Sequence, residues 1–167
     1  RFGDGMFNFL AMLHRAGVTT ALDMGTGIYG NPAGEIAGVR AAANAYPVPV
    51  RLILTPIIID FLTRGKTPEE ALAEILEWQT ENDERVIVGN HFKLMIDGAI
   101  FSGLAQMGTP GYLDGHEGVW MIPEPVLRAY SEVFWRAGFQ LHAHANGDAA
   151  VDRFLTLLQG LQSDFPR

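Results

Sequence analysis

The sequence predicts a parallel α/β fold, and three observations support this prediction. Apolar residues alternate between helical spacing and the short apolar runs that are typical of buried strands. No low-complexity segment, internal repeat or linker interrupts that alternation. Of the 167 residues, 48% are hydrophobic and 19% are charged, which is the composition of a folded domain and not of a disordered segment. Hydrophobic strands that are joined by helical crossovers form parallel sheets.

In the first half of the chain, three helices and two strands are predicted. A helix begins near Met6 and ends before Gly17, because glycine commonly follows the last helical turn. Two further helices begin at Asn31 and at Thr67, since each of these capping residues is followed by a proline suited to the first turn. The predicted strands are 18–24 and 48–55.

The second half of the chain predicts two strands, two helices and one long loop. Strand 92–96 is a short apolar run, and a glycine-rich loop over 99–122 follows it. A helix over 123–137 leads into a strand over 139–145, and a final amphipathic helix covers 148–161. Parallel α/β folds bind their ligands at the carboxyl ends of the strands, so candidate functional residues are expected there.

Charge and composition exclude several classes of protein. Twelve basic against nineteen acidic residues give a net charge of −7, so the chain lacks the basic stripe of a nucleic-acid-binding protein. No apolar run reaches the ~18 residues that cross a membrane. No targeting segment is visible, so we expect a cytoplasmic location. We also expect a small-molecule substrate as the partner. Cysteine is absent, so a metal ion must be held by His, Asp, Glu or a modified Lys.

One alternative function is suggested by the G-x-G-x-x-G motif from Gly25 to Gly30, which follows a predicted strand. In a nucleotide-binding α/β oxidoreductase the helix opens within this motif, so that its N-terminus faces the pyrophosphate. Here Asn31 and Pro32 delay the helix until after the last glycine, and Thr55 ends the next strand, where such enzymes carry an acidic residue. The pattern therefore favours a flexible loop at the mouth of the sheet, with the oxidoreductase as an alternative.

Two histidines on one predicted strand are candidate metal ligands. His142 and His144 are two residues apart, so their side chains point to the same face of a strand. His144 lies nearer the carboxyl end and is the better ligand, whereas His142 is also interpreted as a packed or hydrogen-bonding residue. The following Asp148 is expected to cap the next helix or to support the site.

A single lysine, Lys93, interrupts an apolar strand. An unpaired ammonium is costly to bury, so such a lysine pairs with a carboxylate, reaches solvent or has a lowered pKa. From the residues alone, a salt bridge to Asp97 or Asp23 is favoured. The second interpretation is that Lys93 reacts with carbon dioxide, which converts the amine into an anionic carbamate that can bridge two metal ions.

Three segments carry a family resemblance. Residues 92–99, 112–115 and 142–148 together resemble the metal-dependent amidohydrolase superfamily, and the similarity is to its YtcJ-like, amidohydrolase family 3 branch. Residues 17–24 are similar to the second barrel strand of that superfamily. The resemblance implies a partial (β/α)8 TIM barrel, with residues 1–167 as an internal fragment that holds about strands two to five and their helices.

The same resemblance implies a metal centre at the mouths of the strands. One or two divalent ions, expected to be zinc, would be held by Lys93 as a carbamate and by His144, with His142 as a weaker candidate. Further residues are expected beside the metal or the substrate without binding the metal themselves: Asp97, Tyr112, Asp114, His116, Asn146 and Asp148.

The activity implied by the resemblance is hydrolysis of C–N bonds in amides, cyclic amides or ureido groups by a metal-activated water. The family's first-strand His-x-His, sixth-strand His and eighth-strand Asp have no counterpart in the chain. We therefore expect the fragment alone to be inactive and to self-associate through exposed barrel edges. A relative that keeps the barrel and has lost the metal is the second alternative.

Overall fold

The computed structural model describes residues 2–167. They divide into two compact units, the first ending at His91 and the second covering Phe92–Arg167. Within the described residues the regular elements follow in the order α1 (Phe2–Arg15), β1 (Thr20–Thr26), α2 (Pro32–Ala45), β2 (Arg51–Pro56), α3 (Ile58–Thr63), α4 (Pro68–Gln79), β3 (Val86–Val88), β4 (His91–Met95), α5 (Glu124–Arg136), β5 (Gln140–His144) and α6 (Asp148–Asp164).

The first unit contains a three-stranded parallel sheet in the order β1-β2-β3. Leu22, Ile53 and Ile87 lie side by side in its register, and all three are half-buried. Their neighbours along β2 and β3 alternate with them and are buried, because side chains of a strand point to opposite faces. One face of the sheet therefore forms the core with the helices, and the other is incompletely covered.

Two helices of the first unit begin where local sequence predicts. The Asn31 side chain accepts a hydrogen bond from the Gly34 amide at the start of α2. At the start of α4, Thr67 and Glu70 form a reciprocal capping box. Each cap satisfies helix-end N–H groups that otherwise lack partners, and such a cap contributes about 1 kcal/mol.

Sequence analysis missed two elements of the first unit. α3 follows β2 after a single residue, so its apolar residues continue the preceding strand pattern. β3 has three residues, too few to show a period, and it is recognisable through its pairing with β2. The strand predicted over 92–96 is consequently the fourth in chain order, and it begins at His91.

In the second unit, β4 and β5 form a two-stranded sheet, and the Ile96 amide donates to the His144 carbonyl at 2.9 Å. Phe92 of β4 stacks on Phe134 of α5 with ring centroids 3.6 Å apart, and Phe139 meets the same ring edge-on. Lys93 lies between the buried residues of β4, so it belongs to the opposite face. The same alternation from Phe139 assigns His144 to that face.

The predicted α/β class is confirmed, since helices alternate with strands and the first sheet is parallel. Across residues 2–167 the strands form one sheet of three and one sheet of two, and these two sheets do not show the predicted partial barrel. In the same residues, no helix is both long enough and apolar enough to cross a membrane.

Candidate functional site at the ends of β4 and β5

Lys93 is half-buried near the middle of β4, and burial lowers the pKa of its ammonium group. None of the ion pairs within residues 2–167 includes Lys93. The carboxylates of Asp97 and Asp23, which the sequence offers as salt-bridge partners, accept other hydrogen bonds. A lysine without a counter-ion loses its proton more readily than an exposed one, and the neutral amine is the form that reacts with electrophiles.

The Asp97 carboxylate is fully buried just beyond β4 and ties three pieces of backbone together. Its Oδ1 accepts from the Asn146 amide at 2.9 Å. Its Oδ2 accepts from the Gln106 amide at 2.9 Å and from the Gly147 amide at 2.8 Å. Three N–H groups compensate the cost of burying the charge. Both oxygens are therefore occupied, so Asp97 holds the two loops in place and is not suited to bind a metal ion.

Asn146 connects Asp97 to His144, since its backbone amide binds the first and its side chain contacts the second. Its side-chain nitrogen donates to the Gly98 carbonyl at 3.0 Å and lies 2.9 Å from Nε2 of His144. Because the Gly98 contact orients the amide, its second N–H points at Nε2, which accepts. The ring proton is then assigned to Nδ1. A metal ion that binds Nε2 has to displace the Asn146 amide first.

The structure brings some predicted residues together and keeps others apart. His144, Asn146 and Asp97 are linked by the contacts above, whereas no hydrogen bond or ion pair within residues 2–167 joins Lys93 to His144. His142 lies one pleat before His144 on β5 and is half-buried. The shared features of Lys93 and His144 are their face of the sheet and their position on adjacent strands.

Asp148 fixes the loop over 99–122 to the start of α6. Its Oδ1 accepts from the Gly108 amide at 2.6 Å and from the Ala149 amide at 3.0 Å, and these N–H groups lower the pKa of the carboxyl group. A Cβ on Gly147 would overlap the carbonyl oxygen of Gln106, so only glycine fits that close approach. The loop is thus held at Gln106 by Asp97, which follows β4, and at Gly108 by Asp148, which follows β5.

Tyr112, Asp114 and His116 form a separate cluster within the same loop. The two nitrogens of His116 face oxygen atoms, with Nδ1 2.5 Å from Asp114 Oδ1 and Nε2 2.8 Å from the Gly103 carbonyl. The Gly103 carbonyl and then Asp114 raise the pKa of His116, and His116 lowers the pKa of Asp114. Tyr112 stacks on the imidazole with ring centroids 4.0 Å apart. Both ring nitrogens are therefore engaged within the loop.

In the first unit, carboxylates from β1 and α2 bind the end of β1 and the start of the loop that follows it. Asp23 accepts from the Gly25 amide at 3.2 Å and from the Thr26 hydroxyl at 2.9 Å. Glu35 accepts from the Gly27 amide at 2.9 Å. A pyrophosphate would need these same N–H groups and would meet two negative charges beside them. This geometry argues against the nucleotide-binding alternative.

The donor set that the chain itself supplies for a metal ion is small. Within residues 2–167, no group of three or more His, Cys, Asp or Glu side chains is arranged to hold one. Lys93 and His144 have suitable chemistry, because a lysine carbamate offers oxygen atoms and an imidazole offers a nitrogen. Two donors on adjacent strands are fewer than a metal centre needs, so Lys93 and His144 do not form one by themselves.

Sequence reasoning missed the loop residues that complete these contacts. Gln106 and Gly108 bind through their backbone amides, which leave no side-chain signal in the sequence. Trp120, which forms an isolated antiparallel bridge with Asp97, was equally hidden. One available signal was glycine: a Cβ on Gly108 would lie 2.9 Å from Asp148 Oδ2, so the many glycines of this loop mark close backbone approaches.

Neither family models nor curated protein sequences match this chain. Among solved structures, it is similar to an uncharacterized metal-dependent hydrolase from Pyrococcus furiosus, with 18% sequence identity and a TM-score of 0.64. It is also similar to an uncharacterized metal-dependent hydrolase from Pyrococcus horikoshii OT3, with 16% identity and a TM-score of 0.63. The alignments cover 92% and 90% of this chain but 30% and 28% of those chains. The likeness shows a shared fold over less than a third of each structure.

Proposed function

We propose that the chain is an internal part of a metal-dependent hydrolase of the amidohydrolase type, with strands two to five of a (β/α)8 barrel. The likeness to two metal-dependent hydrolases that are more than three times as long supports this proposal. So do the half-buried faces of both sheets, since the inner faces of a partial barrel lack their covering strands. The observation that carries the functional part is Lys93, half-buried with a lowered pKa and without an ion pair.

Lys93 and His144 are the residues that we assign to the metal. Their face of the sheet would line the barrel interior. A carbamate on Lys93 would replace a partly desolvated ammonium group by an anion, whose charge a divalent ion would neutralise. His144 would release the Asn146 amide or bind through its other nitrogen. His142, one pleat deeper, is a third donor of lower rank.

The reaction that we propose for the longer protein is hydrolysis of C–N bonds in a small molecule. A divalent ion, of which zinc fits imidazole and carboxylate-like oxygen ligands, supplies Lewis acidity and acidifies a bound water. The chain's own contribution is to hold that centre: the buried Asp97 carboxylate fixes the loop after β4 and the residues that follow His144. The general base and the remaining ligands lie outside residues 1–167, so we propose that the chain alone is inactive.

The proposal is tested by metal binding in the presence of bicarbonate. Calorimetric titration of the chain with Zn²⁺ is expected to show a site that Lys93→Ala and His144→Ala each weaken at least about tenfold, which is ~1.4 kcal/mol. A ¹³C-labelled carbamate resonance should appear with Zn²⁺ and be absent from Lys93→Ala. The matched controls are Lys66→Ala and His14→Ala, which change residues of the first unit and should leave both signals unchanged.

Three results separate the alternatives. A carbamate and Zn²⁺ binding that depend on Lys93 support the hydrolase. Zn²⁺ binding that survives both substitutions contradicts the assigned ligands. A longer protein that folds without transition metal, and in which Lys93→Ala leaves hydrolysis unchanged, favours the relative that has lost its metal. Light scattering tests the expected self-association, which a monodisperse monomer at high concentration would contradict.

A further inference from the structure

A pocket of about 460 Å³ lies within the second unit, in the loop between β4 and α5. This volume is within the range of small-molecule sites. Residues 106–111 line it, together with aromatic and charged residues: Tyr112, His116, Glu117 and Trp120. The metal-binding proposal makes no use of this pocket as a whole.

The walls of the pocket are held in place before any ligand binds. The Gln106 and Gly108 amides are fixed on the buried Asp97 and on Asp148, as described above. Trp120 forms the bridge with Asp97, and the Val119 amide donates to the Leu104 carbonyl at 3.0 Å. Binding to such a preformed pocket avoids most of the cost of ordering a loop.

The charge of the pocket is negative. The basic side chains around it are already engaged. The two ring nitrogens of His116 face Asp114 and the Gly103 carbonyl, so neither is left for a ligand. The Arg153 guanidinium lies over Trp120 and 3.9 Å from the Glu124 carboxylate. Glu117 has no ion-pair partner within residues 2–167. The uncompensated charge on the wall is therefore that of Glu117, which attracts a cation and repels an anion.

The aromatic side chains of the pocket favour the same kind of ligand. The Arg153 guanidinium covers one face of Trp120, 3.3 Å from the ring centroid. Tyr112 also lines the pocket; one of its faces is stacked on His116, and its hydroxyl group is buried without a hydrogen-bond partner within the described residues. Tryptophan and tyrosine rings attract organic cations through their negative faces.

We propose that this pocket binds a small organic cation in which a protonated amine is attached to an aromatic or apolar body. Glu117 pairs with the amine, and Trp120 and Tyr112 pack against the body. The inference concerns binding alone and does not depend on the hydrolase activity or on a metal ion, so the two proposals can fail separately.

Two probes of matched size and opposite charge test this inference on the 167-residue chain. 2-Phenylethylamine and 3-phenylpropionate are titrated at pH 7 while the tryptophan indole N–H signals are followed by NMR. The Trp120 signal is identified from Trp120→Phe. We expect saturable binding of the amine at least about fivefold tighter than that of the acid, since a partly exposed charge contributes less than 1 kcal/mol of attraction or repulsion.

Variants complete the test. Glu117→Gln should bring the two affinities within about twofold of each other, whereas Glu69→Gln, on the exposed side of α4, should leave the fivefold preference unchanged. Circular dichroism of each variant verifies its fold. Equal binding of both probes, a preference that survives Glu117→Gln, or absence of saturable shifts of the Trp120 signal would each overturn the inference.

Discussion

Two glycine-rich loops follow strands of this protein, and they are held in different ways. The loop after β1 is held by Asp23 and Glu35, which lie within eight residues of the amides that they bind. The loop after β4 is held by Asp97, whose carboxylate joins amides that lie up to 50 residues away. The carboxylates that hold the first loop therefore lie close to it in the sequence. The carboxylate that holds the second loop binds amides from two distant segments of the chain.

The carboxylates of the two loops also differ in their electrostatic environment. Burial raises the pKa of Glu35 and the nearby Asp23 and Asp60 raise it further, while the Gly27 amide lowers it. For Asp148 the amides of Gly108 and Ala149 lower the pKa. Near the first loop, three carboxylates repel one another. At the second loop, the Asp148 carboxylate is stabilised by the backbone amides that it holds in place.

The largest expected effect on stability comes from Asp97, whose carboxylate holds the second loop. Asp97→Asn replaces one acceptor oxygen by an NH₂ group among three N–H donors, so at least one buried amide loses its partner. We expect the free energy of unfolding to fall by about 3 kcal/mol in urea denaturation. The counterpart Asp23→Asn, in an exposed site, should cost about 0.5 kcal/mol. Equal losses for the two variants would mean that the loops are held alike.

A smaller loss of stability is expected when a methyl group is added at Gly147. Gly147→Ala forces a Cβ onto the Gln106 carbonyl and should cost about 2 kcal/mol, because backbone cannot move aside as a flexible side chain does. Gly25→Ala is the matched control at the end of β1, beside the first loop, where a Cβ meets nothing within 4 Å. Thermal unfolding of both variants measures the difference, and a destabilised Gly25→Ala would show that the first loop is the tighter one.

The smallest effects have opposite pH dependence in the two loops. The raised pKa of Glu35 gives stability that is full below its ordinary value of 4.5 and is lost as pH rises through the raised value. Glu35→Gln should therefore raise Tm at pH 7 by about 2 °C, a gain that disappears toward pH 4.

Asp148 follows the opposite sign. Its lowered pKa gives stability that is present above the ordinary value of 3.8 and is lost as pH falls through the lowered value. Asp148→Asn should lower Tm at pH 7, and this loss should shrink as the solution is acidified below pH 3.8. Circular dichroism melts of both variants at several pH values test the pair, and parallel pH profiles would refute the contrast.

The parts of the fold that depend on neighbouring residues could be predicted from the sequence. The starts of α2 and α4 are set by Asn31 and Thr67 within one helical turn, so their signals are local. β3 could not be predicted, because its three residues form a strand only through the ladder with β2. The ends of the predicted strands differ from the observed ends by one to three residues for the same reason, since pairing decides where a strand begins.

The candidate site shows the same limit. The sequence points to Lys93 and Asp97 through their residue types, and it favours a salt bridge between opposite charges. The structure instead gives the Asp97 carboxylate three backbone partners, one of them Gly147. That choice depends on how a loop and a strand end meet, which no local pattern records. The lowered pKa of Lys93 follows from the same packing.

Hydrogen exchange at the three amides bound to Asp97 can report how often the loop after β4 opens. Gln106, Asn146 and Gly147 lie outside the regular helices and strands, where amide hydrogens usually exchange with solvent quickly. Here each hydrogen is directed at one buried carboxylate, so it exchanges when that carboxylate releases it. If the loop opens as a unit, and at a pH where exchange is faster than reclosing, deuterium enters these three positions at one common rate, and that rate gives the lifetime of the closed loop.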